Sequence, residues 1–348
     1  METGRKRPAA LHGHARSMPT EDMKTSIPRF ALRMVLGASV LAAGMAQATT
    51  WPTKPVRVIV PYAPGGTADT LGRVVATKLG ESFKQSFIVE NRPGAGGVTG
   101  SAVVAKSAPD GYTLVISGIG SHAIAPSLSK KTPFDPMADF THIAVLGGPP
   151  NVLAVHPSVP VKNLKDFVAY AKAHQGTLNY GSPGNGTQGH LFAENFMQIT
   201  GVKMSHVPYK GANPAVMDLM AGHIQALSTT LSTAAGQIRT GKARALAVSA
   251  KSRVKEFAGV PTFAELGHPE LIATTWFSLS GPAGMDKTIV QRLNTEVRRI
   301  LQLPDVRQRL NAEGIEPSNL DPQQSTAYVA SELKRWAPIV HTSGASVD

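Results

Sequence analysis

Three glycine-rich stretches carry the residue types suited to holding an anion. They are Pro61-Tyr62-Ala63-Pro64-Gly65-Gly66-Thr67-Ala68-Asp69, Arg92-Pro93-Gly94-Ala95-Gly96-Gly97 and Gly181-Ser182-Pro183-Gly184-Asn185-Gly186-Thr187-Gln188-Gly189-His190. Each reads as a loop that leaves a strand and opens a helix. Glycine there lets the backbone approach a ligand closely, and the free N–H groups at a helix start carry about half a positive charge. In open parallel sheets ligands bind beyond the carboxyl ends of the strands, where such loops lie. The chemistry indicated is capture of an anion. The competing account, a tight strand-to-helix turn and nothing more, is strongest for the second stretch.

Other chemistries find little support. Gly184, Gly186 and Gly189 match the spacing of a dinucleotide fingerprint, but Met204-Ser205-His206-Val207 lacks the acidic residue that should follow about 20 positions on. Gly236–Lys242 has the spacing of a phosphate loop, yet Ala243 stands where a magnesium-holding Ser or Thr is required. No H-E-x-x-H helix and no G-x-S-x-G elbow occur. His142, His156, His190, His206 and His223 are spread singly, and each reads as a surface or loop histidine. Asp69 reads as a buttress for the first loop or a helix cap. With zero cysteines, disulfides, iron–sulfur clusters, cysteine zinc sites and thiol nucleophiles are excluded. No cofactor and no metal site are expected.

The elements that must position these loops alternate almost without interruption. Val56–Pro61 reads as a buried strand, and Leu71, Val74, Val75 and Leu79 fall on one face of the helix after it. Further strands are expected at Phe87–Glu90, Tyr112–Ser117, Ile143–Leu146, Val152–His156, Leu178–Tyr180, Met204–Val207, Ile224–Leu227, Ala243–Ser249 and Thr275–Leu279. Helices are expected at Gly97–Ala105, Leu164–Ala173, His190–Ile199, Ala215–Ala221 and Ile289–Leu301. Asn163 caps one of them, and Asp321-Pro322 with Gln324 opens the last in a box-like arrangement. Such alternation predicts an α/β fold of mainly parallel sheets with helices on both faces. The 348 residues, 42% hydrophobic, suffice for two lobes. Gly147-Gly148-Pro149-Pro150 and Gly259–Pro269 are the composition breaks; one crossing gives successive domains, two give a clamshell.

The net charge of +12 is scattered, and aromatics make up only 6%. A nucleic-acid binder should show a clustered basic face with interleaved aromatics, so none is expected as partner. Residues 1–48 read as an export signal: a basic stretch ending in Arg29 and Arg33, an apolar run Met34–Met45, and Ala46-Gln47-Ala48 as the cleavage site, with Met18 and Met23 as alternative starts. The run is too short to span a bilayer, which takes about 20 apolar residues. Export to the periplasm with cleavage after Ala48 follows, leaving a net charge of +8.

The ordered series of motifs resembles the Bug-type (TctC-like) periplasmic substrate-binding proteins of tripartite tricarboxylate transporters. The first two glycine stretches carry it, as do Pro109-Asp110-Gly111-Tyr112-Thr113-Leu114, Asn179–Gly186, Val207-Pro208-Tyr209-Lys210-Gly211 and Gly241–Val248. The resemblance implies a type II-like periplasmic binding protein fold, with two Rossmann-like lobes joined by crossover strands. Lobe I would comprise 49–149 and 273–348, and lobe II 150–272. It implies an extracytoplasmic receptor, not an enzyme, that captures a di- or tricarboxylate or other carboxylic acid. The acid would be held between the lobes and passed to a membrane permease by a monomeric protein.

Carried over residue by residue, the contacts would be Tyr62, Gly65, Gly66 and Thr67, with Asp69 shaping their loop. Ser117, Ser121 and His122 would follow in the next strand-to-helix loop, and Ser182, Gly184, Gly186, Thr187 and His190 would come from lobe II. The sequence departs from the family at Ser228-Thr229-Thr230-Leu231, where many members carry an acidic residue that faces a ligand amine. Thr229 therefore predicts a ligand without an amine. The alternatives are a sensor that presents its ligand to a membrane kinase, and a hydrolase with Ser182 as nucleophile.

Overall fold

The computed structural model describes residues 51–345; the expected export signal lies outside them. Eleven strands form two sheets. Around the first are β1 (Val56–Val60), α1 (Thr67–Phe83), β2 (Phe87–Asn91), α2 (Val98–Ala105), β3 (Thr113–Gly118), a wide helical turn at Gly120–Ile124 running into α3 (Ala125–Leu128), and β4 (Phe140–Gly148). The second is built from β5 (Asn151–Val155), α4 (Leu164–Ala173), β6 (Asn179–Ser182), α5 (Gln188–Thr200), β7 (Ser205–Pro208), α6 (Ala212–Ala221), β8 (Ala226–Thr230), α7 (Leu231–Arg239) and β9 (Arg244–Val248). The chain then returns with β10 (Phe277–Pro282), α8 (Lys287–Ile300), α9 (Pro304–Ala312), β11 (Glu316–Pro317) and α10 (Pro322–Ser343).

The strand orders are β11-β4-β10-β3-β1-β2 and β7-β6-β8-β5-β9. β1 pairs in parallel with β2 and β3, and β6 with β7 and β8. One strand in the middle of each sheet runs against its neighbours: β10 lies antiparallel to β3 and β4, and β5 to β8 and β9. These are the strands by which the chain enters a sheet from the other lobe. Every residue of both is buried, as expected of central strands covered on both faces.

The crossings fix which ends of the sheets face each other. β4 ends at Gly148 and β5 starts at Asn151, which lies opposite Thr230 at the end of β8. The N–H of Leu231 donates to Pro150 at 2.9 Å, and that of Thr275 to Pro149 at 2.9 Å. On the return, Ala273 donates to Ser249 and Ile119 to Trp276. The carboxyl ends of the parallel strands in both sheets are therefore apposed across the two crossings. Gly148 is required there, because a Cβ would collide with the Thr275 carbonyl.

Packing ties the lobes together at one side. Ile119, Ile124 and Leu128 join Phe167, Phe192, Phe196 and Phe263 in one core with Trp276, Val329, Trp336 and Val340. Glu332, 6% exposed, accepts from the indoles of Trp276 and Trp336, both at 3.1 Å, and pairs with Arg335 at 3.5 Å. A buried carboxylate is tolerated because its oxygens are so occupied.

Candidate functional site

In the first sheet, α1 begins at the end of β1 without a side-chain cap on Gly66. Asp69, 5% exposed, organises this loop instead. Its Oδ2 accepts from Gly65 N–H (3.0 Å) and Arg73 Nε (3.0 Å), and its Oδ1 from Asn91 Nδ2 (2.9 Å). Asn91 Nδ2 also donates to the Tyr62 carbonyl at 3.1 Å. Burial opposes the charge on Asp69, but the bonds from Arg73, Gly65 and Asn91 prevail and lower its pKa. The N–H groups of Thr67 and Ala68 find no acceptor among the described residues. They are the first-turn donors of a 17-residue helix that starts after the carboxyl end of β1.

Tyr62 belongs to the same loop. Its ring packs edge-on against Phe277 (5.9 Å), and its phenol meets the hydroxyl and backbone of Ser121. Burial outweighs those bonds and pushes its pKa up to about 12, so it stays a neutral donor. Gly97, at φ 99°, leaves room for the Tyr62 hydroxyl, which would lie 2.9 Å from any Cβ added there. Ser121 also bonds His122 Nδ1 at 2.9 Å.

Two expected contacts lie deeper than a loop position would place them. Ser117 is within β3, fully buried, and bonds the Ser280 hydroxyl (2.9 Å) and the Ser278 carbonyl (3.1 Å). His122 is fully buried against Phe134, Phe140 and His142, with Nε2 unpartnered. Burial, then the neighbouring His142, depresses its pKa well below the usual histidine range.

In the second sheet Thr187 caps α5, accepting from His190 N–H (3.4 Å) and donating to the Gly184 carbonyl (2.7 Å). Gly186 N–H donates to His190 Nδ1 (3.1 Å), and Gly184 N–H to Ser182 Oγ (3.2 Å). Several of this loop's donors are thus spent within it. Ser182 also bonds His206 Nε2 at 2.7 Å. His206 stacks on His190 at 3.9 Å and on Tyr180 at 4.9 Å. Burial lowers His190 to about 4; burial and His190 lower His206 to about 4. Both are neutral at physiological pH. The expectation that His142 and His190 are surface or loop histidines is corrected: they lie in β4 and α5 and are 2% and 5% exposed.

Thr229, at the end of β8, is fully buried and its hydroxyl has no partner. Ser228 donates to the Gly189 carbonyl (2.7 Å) and accepts from Asn151 (2.8 Å). No free carboxylate stands at 228–231. Sequence reasoning missed His206, Asn91 and Gln188. Gln188, the first residue of α5, accepts from Thr275 in the returning crossing and so links the lobes. A groove of about 620 Å³ lies at the flank of the crossings, lined by Gly148, Pro150, Ala273 and Trp276 as well as by residues 250–256, Arg307, Tyr328 and Arg335.

Two α/β lobes joined by two crossings, with helix starts at the apposed strand ends, match the bilobed type II architecture of periplasmic solute-binding proteins. The family model for the tripartite tricarboxylate transporter family receptor matches residues 71–345. Protein BugT of Bordetella pertussis is 37% identical over 320 residues, covering 91% of this chain and 98% of BugT. Among solved structures, an R. palustris protein with adipate is 36% identical at a TM-score of 0.77, covering 85% of this chain and 99% of its own. MatC from Rhodopseudomonas palustris with bound malate is 32% identical at 0.72, covering 83% and 100%. The chain belongs to the tripartite tricarboxylate transporter receptor family. It is a periplasmic solute-binding receptor rather than an enzyme, and the family implies a membrane permease as its partner.

Proposed function

We propose that the two lobes, divided at about residues 149 and 273, close over a small organic acid without an amine, such as a di- or tricarboxylate or a hydroxy acid. The observation that carries this reading is the set of open Thr67 and Ala68 N–H donors held in place by Asp69. One carboxylate would rest on them with Tyr62, and Ser182, Thr187 and Gln188 would meet the ligand from lobe II. Thr229, in place of an acidic residue, gives an ammonium no counter-charge. The ligands in the adipate and malate structures, both diacids, agree in class.

Ser182 and His206 do not amount to a hydrolytic pair. His206 Nδ1 has no carboxylate partner among the described residues, and burial disfavours the imidazolium that acyl transfer requires. Their bond holds the loop in shape.

A thermal-shift panel on refolded, ligand-stripped protein tests the proposal. Ligand at 100 times its dissociation constant adds about 2.7 kcal/mol, a shift of roughly 5 °C for a chain this long. Shifts with diacids or hydroxy acids, and none with aspartate or glutamate, are expected. Micromolar binding of aspartate or glutamate would contradict the Thr229 argument, and a flat panel the carboxylate assignment.

A further inference from the structure

The loops at the apposed strand ends carry few charges. Residues 61–66 and 183–187 have none, and 119–124 have only the neutral His122. Arg92, after β2, is bound to Glu90, with Nε at 2.6 Å and Nη2 at 2.5 Å from Oε1. Asp69 is enclosed in its own hydrogen bonds. Lys210, after β7, is different: it is exposed and forms no ion pair or side-chain hydrogen bond among the described residues. Its nearest acidic neighbour along the chain, Asp218, is engaged by the Tyr209 hydroxyl (2.6 Å) and His223 (3.3 Å).

The position of Lys210 is fixed relative to the glycine loop of lobe II. Tyr209 N–H donates to the Ser182 carbonyl (3.2 Å) and Gly211 N–H to the Pro183 carbonyl (3.0 Å). The backbone of Lys210 is pinned between these two bonds, and its four-carbon stem lets the ammonium swing toward the cleft without moving the loop.

We propose that Lys210 makes the cleft prefer doubly charged acids, by supplying the counter-charge to a ligand's second carboxylate. The inference rests on the carboxylate-receptor reading above. Neutral donors at α1 suffice for one carboxylate. A second one entering the closing cleft loses water and needs a cation or several further donors. Lys210 is the uncompensated cation these loops offer, and it also raises the local concentration of anions at the mouth.

The test compares wild type, Lys210→Gln and Lys210→Arg, titrated calorimetrically with adipate and with hexanoate, the monoacid of equal chain length, at low and high salt. Lys210→Gln should lose about tenfold in affinity for adipate and less than about twofold for hexanoate. Lys210→Arg should restore adipate binding, and high salt should shrink the difference. Unliganded variants should unfold at the wild-type temperature, because the side chain is exposed and unbonded. If wild type binds adipate and Lys210→Gln binds it equally well, or loses both acids equally, the Lys210 inference is wrong and the receptor reading stands. If wild type binds neither a diacid nor a monoacid, both fall.

Discussion

Four histidines, His122, His142, His190 and His206, are held neutral inside this protein, and their cost appears in acid. Burial depresses all four, and it puts His142, His190 and His206 at about 4. Between that value and the unfolded 6.5 the unfolded chain binds more protons, so stability is full above pH 6.5 and drains away toward pH 4. At pH 5.5 the buried His142 and His190 should each cost about 1 kcal/mol. Urea unfolding should therefore show a midpoint well below its value at pH 7.5. An unchanged midpoint would mean that these rings take up protons equally in both states. At this scale the sequence was only partly legible. The glycine loops and Asp69 stood out because residue type and spacing are local. The stacking of His190 on His206 brings α5 against β7 across 16 residues of sequence, and single-residue reading has no access to that.

Capping made several elements readable. Asn163 accepts from Asp166 N–H at 2.9 Å, and Asp321 with Gln324 forms the reciprocal box at the start of α10. Asp321→Ala should cost about 1 kcal/mol in chemical unfolding without changing ligand affinity, since the bonds of Asp321 are confined to the first turn of α10. A loss of affinity would show that α10 bears on the cleft. α7 escaped notice because Leu-Ser-Thr-Ala-Ala-Gly-Gln-Ile-Arg mixes Ser, Thr and Gly236 into a short segment of weak helix formers. β11 has two residues and no periodicity to find. Strand direction was hidden as well: alternating elements announced parallel sheets, but β5 and β10 run against the grain, a property of the crossings rather than of their own sequences.

On the scale of the whole molecule, two crossings join two sheets with the carboxyl ends of their parallel strands apposed, and α1 starts at that end of β1. The composition breaks at Gly147–Pro150 and Gly259–Pro269 could be read in the sequence, whereas the shared core of Ile124, Leu128, Trp276 and Trp336 could be seen only in the folded protein. The account's central claim is that a carboxylate sits between the lobes on neutral donors. The most direct test is a crystal structure of the protein with a bound diacid such as adipate. The account predicts one carboxylate within hydrogen-bond distance of the Thr67 and Ala68 N–H groups, with the lobe II loop at Ser182 closed over the other end. A diacid seated instead in the flank groove beside Arg307, with the α1 donors facing water, would contradict it.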